Sequence, residues 1–169
     1  DRALPTGTVT MLFTDLVRST ELAERLGPEK GEAMLRGHFQ LLREIVAMHG
    51  GHEVKNLGDG LMVVFSSPTD AVSCGIAIQH AVAHAVGEEP IAVRIGIHTG
   101  EPVFDNGDYF GMSVVIAKRL CDAAEGGQIL VSDIVRSLVA PTHRMDQGAE
   151  IRLKGLTDPT MTWRAPTRV

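Results

Sequence analysis

The chain has 169 residues, 44% of them hydrophobic and 22% charged, with a net charge of −5. That length carries one domain with a single sizeable core, and the composition is ordinary for a soluble globular protein. An acidic balance with one Trp and one Tyr leaves no basic face interleaved with stacking aromatics, which argues against a nucleic-acid binder. The two cysteines, Cys74 and Cys121, lie in helical-looking apolar segments and read as small buried side chains rather than as a disulfide or a metal pair. A reduced, cytoplasmic setting follows from them. No run reaches transmembrane length and no signal peptide is visible. The chain begins at Asp1 rather than Met, so residues 1–169 are expected to be one domain excised from a longer chain, with regulatory domains beyond it.

In chain order, Val9, Met11 and Phe13 alternate with threonines, which predicts a strand over 8–15 with Asp15 at its end. Ser19-Thr20-Glu21 opens a helix, with a hydroxyl available as N-cap. Pro28 starts a second helix to about Met48, carrying Leu35, Phe39, Leu42, Ile45 and Val46 at helical spacing. Gly50-Gly51 stops it. The segment from Glu53 to Phe65 reads as a hairpin turning at Gly58-Asp59-Gly60. Pro68 opens a helix over 69–86. Residues 91–99 read as a buried strand with one charge, Arg94, and Gly107 marks a turn. A helix over 113–124 ends at Gly126-Gly127. A short strand at 129–131, a short helix at 133–139 and strands near 150–154 and 160–164 complete the order. Its core is strand–helix–strand–strand–helix–strand, the ferredoxin-like α+β pattern, with an antiparallel sheet and helices on one face.

Asp59 between two glycines is common turn chemistry on its own. Asp15 changes the odds, because two strand-end carboxylates side by side can hold two divalent cations for in-line displacement at phosphorus. Mg²⁺ suits such a pair, since it needs few protein oxygens. The plainer reading is one capping and one turn aspartate. Arg94 inside an apolar strand requires a partner. It reads either as a structural ion pair, with Glu101, or as a phosphate clamp. His80 and His84 are four apart but lack the glutamate of a zinc helix, so they read as a solvated face. His98 reads as packed and hydrogen-bonded.

Four blocks carry a resemblance: FTDLVRST, KNLGDG, RIGIHTG, and GDYFG followed by AKRL. In this order, over residues 8–131, they resemble the class III nucleotidyl cyclase catalytic domain of the bacterial adenylate cyclase type. The resemblance implies that ATP is converted to 3′,5′-cyclic AMP and pyrophosphate. It implies that Asp15 and Asp59 hold two Mg²⁺ or Mn²⁺ ions and that Arg94 contacts the β- and γ-phosphates. Lys55 and Asp108 would read adenine, lysine at N1 and aspartate at the N6 amine. Arg119 would stabilise charge on the α-phosphoryl oxygens, and Lys154, in a strand, would contact the triphosphate. It also implies a head-to-tail homodimer with two shared sites. The chain departs from the family at Val115, where asparagine orients the ribose. The group that removes the 3′-hydroxyl proton stays open among Asp15, water and a phosphate oxygen. Three alternatives stand beside this reading. One is a weak or inactive nucleotide-binding regulatory domain, another a guanylate cyclase, and the third a structural dimerisation module.

Overall fold

The computed structural model describes residues 3–85 and 89–167. The elements are β1 (Val9–Leu16), α1 (Ser19–Leu26), α2 (Pro28–Met48), β2 (His52–Asn56), β3 (Leu61–Phe65), α3 (Pro68–Ala83), β4 (Val93–Gly100), β5 (Val103–Asp105), β6 (Asp108–Phe110), α4 (Met112–Ala123), β7 (Ile129–Ser132), α5 (Asp133–Val139), β8 (Asp146–Ile151) and β9 (Thr160–Arg164). Seven strands form one sheet in the order β2-β3-β1-β4-β7-β9-β8. Its first four strands are antiparallel neighbours and carry α2 and α3 as crossovers, the expected ferredoxin-like core. β7 adds in parallel to β4, and β8–β9 is an antiparallel extension.

Strand alternation divides the interior into two layers. Leu12 and Leu16 of β1, with Val93, Ile95 and Ile97 of β4, pack under Phe39, Leu42 and Ile45 of α2 and Val72 and Ile78 of α3. Val9, Met11 and Phe13 point the other way, toward Ala117 and Cys121 of α4. The helices therefore cover both faces of the sheet, not one. The apolar residues of β1 and β4 alone do not say which face α4 takes.

Two glycines set the close approaches that build the site. A Cβ on Gly96 would lie 2.2 Å from the Cys121 backbone nitrogen, so α4 rests on the bare backbone of β4. A Cβ on Gly60 would lie 1.8 Å from the Thr14 carbonyl oxygen, so the β2–β3 tip folds onto the end of β1.

Four local expectations need correction. Arg18, not a hydroxyl, occupies the N-cap of α1, in the left-handed region at φ 53°. α3 ends at Ala83, short of the expected 86, which lies outside the described residues. A short hairpin, β5–β6, flanks Asn106-Gly107, both at positive φ, where the sequence marked only a turn. Finally, β8 starts at Asp146 and ends at Ile151, with a register irregularity between Asp146 and Ala149. It is a polar edge strand with no apolar alternation to read. Lys154 consequently lies in the turn after β8 rather than in a strand.

Candidate active site

β1 and β4 pair so that Asp15 stands directly opposite Arg94, both on the α4 face. Arg94 donates through Nη2 to Asp15 Oδ2 and through Nη1 to the Asp122 carbonyl, at 3.1 Å, where α4 ends. The Glu101 partner considered from sequence is not the one used; Glu101 instead accepts from the Thr8 hydroxyl at 3.1 Å. Asp15 is 6% exposed. Burial pushes its carboxyl above the ordinary value, the neighbouring Asp59 adds to the rise, and Arg94 works against it.

Asp59 reaches this carboxyl because the hairpin tip is tied to β1 on both sides of it. The Leu16 N–H donates to the Asp59 carbonyl at 3.0 Å, and the Leu61 N–H donates to Thr14 Oγ1 at 2.9 Å. The Ser19 hydroxyl, released from capping by Arg18, donates to Asp59 Oδ2 at 3.2 Å. Sequence reasoning offered Ser19 to its helix; its proximity to Asp59 depends on how the hairpin folds back, and no local pattern encodes that.

Lys55 and Asp108 also meet. Lys55 Nζ lies 2.9 Å from Asp108 Oδ2, and the other carboxylate oxygen accepts from the Tyr109 N–H at 2.7 Å. Partial burial works against the Asp108 charge, but the Lys55 ammonium and the Tyr109 N–H hold its carboxyl below the ordinary value. Among the described residues no hydrogen bond or ion pair joins this pair to Asp15, Asp59 or Arg94.

α4 carries the remaining cations. Arg119 Nη1 lies 3.4 Å from Asp122 Oδ2, and Lys118 Nζ lies 2.9 Å from Oδ1. Val115 sits one turn before Arg119, on the same helix side, and is 39% exposed. Leu153 packs with Leu120 and Ala124, which fixes the chain beside this helix just before the exposed Lys154.

His98, His84 and the two cysteines behave as their plainer readings, whereas His80 is half-buried rather than part of a solvated face. His98 Nδ1 is 2.7 Å from Ser132 Oγ, and burial lowers its pKa to about 4. His80 contacts the Thr167 carbonyl, and His84 contacts the His80 carbonyl at 2.7 Å. Cys74 and Cys121 are free and buried, with their thiols pushed up to about 12 by burial.

A divalent cation suits the Asp15–Asp59 pair on this structure's own terms. Two oxygen-only side chains converge, and their mutual repulsion raises one of them. Among the described residues no third carboxylate, histidine or cysteine completes an all-protein cage.

Residues 2–164 match the model of the adenylate and guanylate cyclase catalytic domain. A protein of Podospora anserina named adenylate cyclase is 34% identical across 76% of this chain, which spans 7% of that protein's length. The crystal structure of the adenylyl cyclase CyaB from P. aeruginosa superposes with a TM-score of 0.84 at 28% identity, covering 95% of this chain and 94% of that one. The guanylyl cyclase Cya2 superposes with a TM-score of 0.84 at 25% identity, with the same coverage of each chain. Among the described residues no helix is long and apolar enough to cross a membrane.

Proposed function

The chain belongs to the adenylate and guanylate cyclase catalytic-domain family, and we propose that it converts ATP to 3′,5′-cyclic AMP and pyrophosphate. The observation that carries this is the meeting of Asp15, Asp59 and Arg94 where β1, the β2–β3 tip and β4 converge.

The 3′-oxygen of ATP attacks the α-phosphorus in line; a new P–O bond forms, the bond to the β-phosphate breaks, and the 3′-hydroxyl proton leaves. Two divalent cations bound to the Asp15 and Asp59 carboxylates would make the 3′-hydroxyl more acidic and neutralise charge on the phosphates. The Ser19 hydroxyl, which donates to Asp59 Oδ2, would hold that carboxylate in place beside Asp15. Arg94 has donors to spare beyond Asp15 and the Asp122 carbonyl; its buried Nε has no acceptor. Its planar fork suits the β- and γ-phosphate oxygens. Arg119 supplies charge to the α-phosphoryl oxygens as pyrophosphate departs. Lys154 adds a cation beside it.

The choice of ATP rests on the Lys55–Asp108 contact. Beyond their mutual contact the ammonium keeps donors and the carboxylate keeps acceptor lone pairs. That matches N1 and the N6 amine of adenine and mismatches guanine, which reverses both. A donor and an acceptor set against guanine's reversed pattern are both left unpaired, which makes such discrimination strong.

The site is shared between two copies of the chain arranged head to tail. Val103, Phe110 and Met112 are 66%, 51% and 59% exposed, and lie with Phe104 and Val115 on the β5–β6 hairpin and the start of α4. An apolar strip of this kind supports a protein interface. Placing a second Lys55–Asp108 pair and a second Arg119 opposite the first Asp15–Asp59 pair completes the set. Residues 1–169 would then act as one catalytic domain.

A second reading, a cyclase-like domain that binds nucleotide but turns it over poorly, is favoured by Val115, which cannot hydrogen-bond a ribose. Cyclic AMP formation from ATP with Mn²⁺, beside the same assay with GTP, separates the readings. Turnover of ATP above GTP supports the first, and binding without turnover supports the second.

A further inference from the structure

Among the described residues Asp122 alone is joined to all three cations around α4. Its carbonyl accepts from Arg94, Oδ1 from Lys118 and Oδ2 from Arg119. Helical spacing explains how one carboxylate reaches both neighbours, which precede it by four and three residues. Fully exposed pairs of this kind hold little. Here Lys118, Arg119 and Asp122 keep only 37%, 33% and 33% of their side-chain surface.

Arg119 has a single described partner. Its Nη1 meets Asp122, and its buried Nε meets no acceptor. A guanidinium with five donors and one bond takes its orientation from that bond. Lys118 meets the other Asp122 carboxylate oxygen. Burial works against its charge, yet Asp122 in contact and Asp15 beyond hold its ammonium above the ordinary value.

We propose that Asp122 is a positioning residue, whose carboxylate orients Arg119 toward the reacting phosphoryl group. This rests on the cyclase reading of the site. Arg94 bonds to the Asp122 backbone, so replacing the side chain leaves that contact in place.

The test is Asp122→Ala and Asp122→Glu, assayed with ATP and Mn²⁺ at titrated active-site concentration. Asp122→Ala should lower kcat about tenfold, as loss of a supporting partner does, with KM changed less than about twofold. Asp122→Glu still reaches back one turn and should recover most of the loss. Mixing Asp122→Ala with Asp15→Ala chains creates one site that joins an intact carboxylate pair to Arg119 with its own Asp122, and that site should run at the wild-type rate. Mixing with Arg119→Ala should give no site faster than Asp122→Ala itself. Unchanged or higher kcat in Asp122→Ala, or no recovery with Asp15→Ala, overturns the proposal. A readout without turnover separates it from the cyclase reading. The Arg119 Nε–H order parameter should fall below about 0.6 in Asp122→Ala. If wild type makes no cyclic AMP while that order parameter falls, the cyclase reading fails and the positioning stands; an unchanged order parameter overturns the positioning.

Discussion

Asp15 and Arg94 are direct cross-strand partners, and the Arg94 guanidinium donates to Asp15 Oδ2 on the α4 face of the sheet. The arginine does not fully offset burial and the adjacent Asp59, so the Asp15 carboxyl stays above its ordinary value. Without a cation the folded chain favours neutral Asp15 more than the unfolded chain does.

The sign of the pH effect follows. A raised folded pKa contributes stability that is complete below the unfolded pKa and is lost as pH rises through the folded one. At pH 7 in chelator, Asp15→Asn, neutral and nearly isosteric, should melt above wild type, and the gap should close toward pH 4. Mn²⁺ should reverse the order at pH 7, because it binds only the carboxylate form. A gap that does not change with pH contradicts the assignment.

Asp15→Ala and Asp59→Ala should each lower turnover by on the order of a hundredfold or more, the several kcal/mol that metal-assisted charge stabilisation supplies. Asp59 sits at a surface hairpin tip, so the fold should persist in its variant. Ser19→Ala should do less, raising the Mn²⁺ concentration for half-maximal rate while kcat at saturating metal stays close to wild type. Cyclic AMP production near wild type in either aspartate variant removes the carboxylates from the mechanism.

Lys55→Glu with Asp108→Cys should weaken use of ATP and shift the ATP:GTP ratio of kcat/KM toward GTP by about tenfold or more. The two wild-type side chains pair with each other, so both must change together to present the reversed pattern. An unmoved ratio, measured with both nucleotides on the same preparation, means that these residues do not read the base.

Much of this was legible in the chain itself. The alternation in β1, the helical spacing in α2 and the glycines at the hairpin tip are local signals, and the structure has those elements within a residue or two. What escaped depends on long-range packing. The partner of Arg94 is set by the β1–β4 register, which no single strand records. Ser19 lies 40 residues from Asp59, and capping was the nearer use for its hydroxyl. Asp122 looks like any solvated helix carboxylate until Gly96 lets α4 settle on β4. Lys154 was misplaced because β8 buries too little to leave an alternating pattern.

Val115→Asn should raise kcat about fivefold, what a hydrogen bond of about 1 kcal/mol made chiefly at the transition state is worth, and change KM for ATP less. Val115 is 39% exposed in the single chain, so the substitution costs the fold of each chain little packing. A neutral or lower kcat, measured at saturating ATP, means that the ribose is oriented by another group.

The most direct test of a divided site mixes Asp15→Ala chains with Arg119→Ala chains under conditions that let dimers exchange. Each parent homodimer carries the same lesion in both sites and should be nearly inactive. In a mixed dimer one site carries both lesions, while the other takes Asp15 from one chain and Arg119 from its partner. Random pairing makes about half the dimers mixed, so roughly a quarter of all sites should recover. Asp15→Ala mixed with Asp59→Ala should stay near zero, since both belong to the same half. Recovery to about a quarter of wild-type rate in the first mixture and none in the second is the predicted result. Recovery in the second, or none in the first once exchange has been demonstrated, contradicts a site built from two chains.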